Sequence, residues 1–315
     1  MDKPFKTATE QIEILKKRGI CIKDDSEAAS FLIRRNYYSM INGYGRFFQS
    51  STDVYLPDTT LSEIEKVYIF DESLKSILYS HIMETEKYLK ATLAYYFCME
   101  HPNPNEYTSA SSYHWKSQRE FEDIMRLINN LQSVITDYST KKSANAIKYY
   151  MNTYGFVPLW VLIQYMYLRD VINMFSHCSP STQNNIAKEF SSFLQLNTGE
   201  RQAKVHSEDL LKVYRHIKTI RNAVAHDNNI FFYKDRFTLP YIAEIHNPKG
   251  IKPNQERNDI YQTFLIMQCL ISPSEYSQLE QSLINCLNEF RRNIRIIDPE
   301  TVITALGFPS NWGKN

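Results

Sequence analysis

The chain has 315 residues, 43% of them hydrophobic, enough for a sizeable core in one large domain or two small ones. Thirty-six Lys and Arg face 35 Asp and Glu, a formal charge of +1 that excludes a globally polycationic binder of nucleic acid. Five dispersed cysteines, Cys21, Cys98, Cys178, Cys269 and Cys286, form no C-x-x-C pair, which excludes a disulfide framework and points to reduced thiols in the cytoplasm.

Capping signals predict a succession of helices. Thr7 with Glu10 opens the first, ending near Gly19, and a second runs from about Asp25 to Tyr38 into the aromatic turn Asn36 to Tyr44. With 22 Tyr and 17 Phe in the chain, that turn reads better as core than as a base-stacking platform. Thr60 with Glu63 starts a long helical region reaching Phe97, with an interruption expected near Phe70-Asp71. In its later part Leu78, Ile82, Glu86, Leu89 and Leu93 form one row, so Glu86 points inward.

Further helices are predicted from Ser117 to Thr136, from Lys141 to Tyr154, from Pro158 to Phe175, after Ser179-Pro180, and from Ser207 to the end of a charged motif. A short extended or irregular piece from Phe231 to Tyr241 and a polar loop from Asn247 to Asn258, expected to be mobile, follow. Helices around Tyr261 to Ile271, from Ser272 to Arg295, and from Asp298 to Gly307 close the chain. The fold class expected is all-α, with an N-terminal helical arm over residues 1–59 and a helical body over 60–315. The start, Met1-Asp2-Lys3-Pro4, has no apolar signal core, and no apolar run approaches bilayer length, so no membrane association is expected.

The chemistry concentrates in Arg221-Asn222-Ala223-Val224-Ala225-His226: a fixed cation, an amide and a proton carrier within six residues. Asn222 and His226 stand at i and i+4 and share a helix face. Arg221 and His226 are about 140° apart on an ideal helix, so they meet at one phosphate only if the helix loosens after Ala225 or a second chain contributes. Arg221 also interrupts the apolar row Leu210, Tyr214, Ile217, Val224, where a guanidinium needs a carboxylate, a carbonyl or a phosphate. Two readings stand: a structural ion pair, with Glu86 as natural partner, or a phosphate-facing cation. His226 likewise reads as a helix-end histidine favoured by the dipole or as a general acid or base.

Between Arg201 and Arg236 eight basic residues face four acids, and Arg215 and Lys218 stand close before the motif. Arg291, Arg292 and Arg295 read as phosphate contacts or as ordinary helix C-terminal charges. No Gly-rich phosphate loop, H-E-x-x-H or G-x-S-x-G is present, and neither a metal nor a cofactor is expected.

With that motif in an all-helical chain, the sequence resembles the HEPN superfamily, and within it the bacterial Abi proteins of abortive infection, the AbiD/AbiF-like group. The resemblance rests on Lys3-Pro4-Phe5 with Glu10-Gln11-Ile12, Asn36-Tyr37-Tyr38, Asn42-Gly43-Tyr44, Phe70-Asp71 with Glu86, Pro158-Leu159-Trp160, Arg221-Asn222 with Ala225-His226, and Gly307-Phe308-Pro309 with Trp312. It departs where many relatives carry a second histidine, here Asp227, and at Gln164 and Arg169. The resemblance implies a HEPN-like helical bundle with additional N- and C-terminal helices. It implies metal-independent cleavage of RNA by its own 2′-hydroxyl, with Arg221, Asn222 and His226 at the phosphate and Glu86 in support. A homodimer with one motif from each protomer and a bound small regulatory RNA are also implied. A non-catalytic RNA-binding or toxin-antitoxin partner, and a protein-interaction scaffold sensing phage, are the alternatives.

Overall fold

The computed structural model describes residues 4–225 and 229–314. His226 and Asp227, both singled out from the sequence, lie outside the described residues.

Local capping chemistry sets the first elements. Thr7 accepts from the Glu10 backbone N–H and the Glu10 carboxylate accepts from the Thr7 N–H, a complete capping box that opens α1 (Ala8–Lys17). Asp24 caps α2 (Asp25–Arg34), which stops a turn short of the expected Tyr38. Residues Ser39–Tyr44 form a π-helical turn that buries Met40, Ile41 and Tyr44, so the aromatic turn does build core. A ribbon of β1 (Gln49–Ser51) and β2 (Val54–Tyr55) is the only sheet among the described residues.

The spine is α3 (Leu61–Glu100), a single 40-residue helix about 60 Å long at 1.5 Å per residue. The interruption expected at Phe70-Asp71 is absent, because both residues belong to the buried stripe. Phe70 stacks on Phe290 at 4.2 Å, and Asp71 is neutralised one turn on by Lys75 at 2.7 Å. Length that would leave a lone helix exposed is covered here by packing along much of its course.

Ser117 and Asn145 cap α4 (Gln118–Thr140) and α5 (Ala146–Tyr154), and Gly155 closes α5 at φ 76°, a left-handed end that favours glycine. After Pro158 the expected single helix is split into α6 (Leu159–Leu162), a 3-10 turn Ile163–Tyr165, and α7 (Leu168–His177). Met166 and Tyr167 are extended between them, and this corner lets Leu162, Ile163, Val171 and Met174 all reach the core. Ser179-Pro180 opens α8 (Pro180–Thr198), and α9 (Ser207–Ala225) carries the motif residues Arg221 to Ala225.

From 229 to 242 the chain is an irregular strap. The loop expected to be mobile follows α10 (Ala243–His246), opens with a 3-10 turn (Asn247–Lys249) and is gathered by Arg257, whose guanidinium donates to the carbonyls of Leu239, Lys252, Pro253 and Gln255. α11 (Ile260–Ile266), α12 (Pro273–Asn293) and α13 (Pro299–Ala305) complete the bundle. One hydrophobic cluster runs from Ile12 to Phe308, joining the first two helices to the rest, and the protein is all-α.

Candidate active site

α9 lies antiparallel on α3. The Tyr214 hydroxyl donates to the Thr85 carbonyl at 3.0 Å, while Val224 and Ala225, ten residues on, border a depression shared with Glu72, Lys75, Ser76 and Tyr79. Leu210, Val213, Tyr214, Ile217, Ile220 and Val224 face the core, which leaves Arg221 half-buried at the edge of the stripe. Its Nη1 donates weakly to Asn222 Oδ1 at 3.4 Å, and its enclosed Nε has no hydrogen-bond partner among the described residues. No described carboxylate ion-pairs with it. Asn222 is exposed beside it.

The pairing of Glu86 with Arg221 is not formed. Glu86 is buried and pairs along its own helix with Lys90 at 2.8 Å, and its Oε2 is left without a described partner. The antiparallel register explains this. Glu86 sits level with Tyr214, seven residues and about two helical turns before Arg221 on α9.

Next to Glu72 on α3 stands Asp71, where a helix interruption is expected from the sequence. It is fully buried, and three elements converge on it: Lys75 at 2.7 Å, the Tyr44 hydroxyl at 2.8 Å, and the Ile230 backbone N–H at 3.2 Å. Burial holds its carboxyl above the ordinary aspartate value, against the opposing pull of Lys75, Tyr44 and Ile230. Gly43 packs against the Asn229 amide, where an added Cβ would stand 3.4 Å from Nδ2. The Asn-Gly-Tyr turn, the Phe-Asp pair and the residues after the motif, separate in sequence, are thus one assembly. The signal for Asp71 was present in its i, i+4 relation to Lys75 inside an apolar stripe.

A second tie fixes the strap farther along. His216 on α9 is buried, with Nδ1 2.7 Å from Asp235 and Nε2 2.8 Å from the Thr263 hydroxyl. Thr263 in turn donates to the Asp259 carbonyl at 2.9 Å, so the His216 ring bridges Asp235 of the strap and Thr263 of α11. Burial pushes the Asp235 carboxyl up, but His216 and the N–H groups of Phe237 and Arg236 outweigh it and hold it below the ordinary value.

The expected basic residues divide. Arg215 is exposed and Lys218 half-buried, and with Asn222 they stand at i, i+3 and i+7 on one outer face leading to the motif. Arg291 is engaged elsewhere, pairing with Glu300 at 2.8 Å and donating to Asn288 and the Trp312 carbonyl. Arg292 and Arg295 are exposed, but the Arg295 N–H donates to Glu63, a dozen residues before Lys75 and about 18 Å along α3. The arginine cluster is not brought to the motif.

A larger depression of about 620 Å³, lined by Tyr95, Met99, Trp160 and Gln164 among others, lies toward the far end of α3. Arg169 is exposed and pairs with Asp170. No helix among the described residues is long and apolar enough to cross a membrane.

No curated protein and no solved structure matches the chain. The family model described as Abi-like protein matches residues 30–232, a span that begins before the Asn-Gly-Tyr turn and ends just past the motif, and the chain belongs to that family.

Proposed function

We propose that the protein is a phage-defence endoribonuclease of the HEPN type acting in abortive infection. The RNA's 2′-hydroxyl attacks the adjacent phosphorus, the bond to the 5′ oxygen breaks, and a 2′,3′-cyclic phosphate and a 5′-hydroxyl result. His226 takes the 2′-hydroxyl proton or delivers one to the leaving oxygen. Arg221 neutralises charge on the phosphorane-like transition state, and Asn222 orients a phosphate oxygen or the imidazole.

The observation that carries the reading is Arg221 itself. A guanidinium at the edge of an apolar stripe, with an enclosed Nε and no described carboxylate partner, is a cation held for a ligand that is anionic. Arg215 and Lys218 extend positive charge along the same helix, in the manner of a backbone track. The 140° separation that five residues of an ideal helix would give is met by a homodimer in which a two-fold axis brings Arg221 of one protomer toward His226 of the other. A bound small RNA restraining the nuclease fits the same basic row.

The test is incubation of wild-type protein and His226→Ala with labelled RNA in EDTA, with the product ends identified. Cyclic-phosphate ends from the wild type alone establish the activity. Intact RNA with both proteins, and a discrete RNA copurifying, replaces it with the non-catalytic RNA-binding reading.

A further inference from the structure

Two arginines that precede α3 in the chain are propped on aromatic rings near the end of α9. Arg35, which closes α2, is exposed, with its guanidinium 4.6 Å from the centre of the Tyr68 ring and its Nη1 donating to the Tyr68 hydroxyl at 2.9 Å. Arg46, in the 3-10 turn Gly45–Phe48, is exposed as well, and its guanidinium stands 3.7 Å over the Phe232 ring, which stacks on Phe47 at 5.2 Å. Neither ion-pairs with a carboxylate among the described residues, and the sequence has no Asp or Glu between Glu27 and Asp53.

The two props meet at Asp71. Tyr68 stands one turn before it on α3, and Phe232 comes two residues after Ile230, whose N–H donates to the Asp71 carboxylate. Tyr44 donates to the same carboxylate and touches Tyr68 and Phe231 edge-on, at 5.5 and 6.1 Å between ring centres. Tyr68, Glu72 and Lys75 are i, i+4 and i+7 on one face of α3, and Glu72 and Lys75 line the depression that Val224 and Ala225 border. The ring under Arg35 thus lies about 10 Å along the spine from Lys75. Arg221 is one turn back from Ala225 on α9. A guanidinium stacked on a ring keeps in-plane N–H groups for a ligand at the ring's edge and loses little side-chain freedom on binding it.

We infer that Arg35 and Arg46 form a phosphate clamp that holds the RNA backbone beyond the nucleotide at Arg221. The inference rests on the RNA-cleaving reading above for the identity of the ligand. It adds that the strand passes from α9 across the assembly around Tyr44 and Asp71 toward the chain before α3. These contacts grip phosphates and position the strand without reading its bases.

The experiment measures binding of a fluorescent single-stranded 2′-O-methyl RNA, which lacks the attacking hydroxyl, by anisotropy across a salt series. Cleavage of ordinary RNA is measured separately. Wild type, Arg35→Gln, Arg46→Gln and Arg46→Lys are compared, and melting curves confirm that each is folded. Arg201→Gln is the control for loss of charge alone. Arg201 follows α8, whose Phe193 packs on Tyr88, twenty residues and about 30 Å along α3 from Tyr68. Each clamp Gln variant is expected to bind about fivefold more weakly and to flatten the slope of log affinity against log salt by about 0.7, the loss of one phosphate contact on a single strand. Arg46→Lys keeps the charge and the wild-type slope, and decides the matter at that position if Arg46→Gln fails to fold. Arg201→Gln keeps the wild-type slope. In cleavage the Gln variants raise KM and leave kcat within about twofold, since a phosphate away from the cut is held alike in ground and transition states. Wild-type affinity and slope in either folded Gln variant, an Arg201→Gln slope that flattens as far as theirs, or no RNA binding by wild type overturns the clamp. Binding that depends on Arg35 and Arg46 without cleavage of RNA retains the clamp and removes the nuclease reading alone.

Discussion

At Arg221 packing and charge pull in opposite directions. Its place beside Ile217 and Val224 calls for an apolar side chain, and its enclosed Nε has, among the described residues, none of the hydrogen-bond partners that buried guanidinium groups ordinarily have. If the residue were structural, removing it would leave an acid stranded and destabilise the fold. The structure supplies no such acid among the described residues. Arg221→Ala is therefore expected to change stability by no more than about 0.5 kcal/mol while lowering RNA cleavage by about 10²- to 10³-fold. Arg221→Lys should not restore the rate, because a point charge lacks the planar fork that grips two phosphate oxygens. Urea titration beside initial cleavage rates decides the matter, and a large stability loss would return Arg221 to a structural role.

Asp71 presents the opposite case, a buried carboxylate whose partners are all in place. Asp71→Ala would leave Lys75 with Glu72 as its carboxylate neighbour, and would free the Tyr44 hydroxyl and the Ile230 N–H from their acceptor. Breaking a buried pair by deleting one member costs about 3–5 kcal/mol, and the lower end applies because Glu72 still holds the ammonium. The measurement is the urea midpoint of Asp71→Ala against wild type. The acid was visible in the sequence, but its role was not. An Asp beside a Phe reads as a helix interruption until its partners, 27 residues before it and 159 after, are folded onto it.

At the scale of elements, what was legible was what depends on neighbours in sequence. The capping boxes at Thr7 and Ser272 and the caps at Thr60, Ser117 and Ser179 all stand where local hydrogen bonding puts them. What was not legible depends on contacts far along the chain. The continuity of α3 comes from elements packed against it, the corner at Met166-Tyr167 from two helices sharing one core, and the ordering of the 247–258 loop from Arg257 collecting its carbonyls.

The strap after the motif belongs to this second kind, and two buried aspartates hold it with opposite responses to pH. The folded value of Asp235 lies below that of the unfolded chain. Its stabilisation is present above the ordinary Asp value of about 4 and is lost as pH falls through the lowered value. The folded value of Asp71 lies above that of the unfolded chain, so its contribution grows as pH falls from the raised value toward about 4. Asp235→Asn should flatten the loss of stability on the acid side of that point, and Asp71→Asn should flatten the slope on the other side. Urea midpoints from pH 3 to 7, taken as differences from wild type, separate the two; slopes of the same sign in both variants would contradict the assignment.

For the whole molecule the question is whether one chain holds a complete site. Arg221 stands at the end of α9 and its expected partner His226 five positions on, so a straight helix turns the two about 140° apart. Glu86, the acid expected to pair with or support the arginine, is two turns away and paired with Lys90. Within the described residues no acid ion-pairs with Arg221, and the exposed Arg295 is tied through its backbone N–H to Glu63, about 18 Å along the spine from Lys75. These separations favour a site completed by a second copy across a two-fold axis, where each protomer meets the other's complementary group. Complementation tests it directly. Arg221→Ala and His226→Ala are each expected to be inactive alone. Co-folded from a mixture, half of the dimers carry one of each, with an intact arginine from one chain and an intact histidine from the other. Cleavage that reappears in the mixture, together with a dimer mass by light scattering, places the two groups in one shared cleft. A mixture as inactive as its parts would put the working site inside a single protomer and require the chain after Ala225 to turn His226 back toward Arg221.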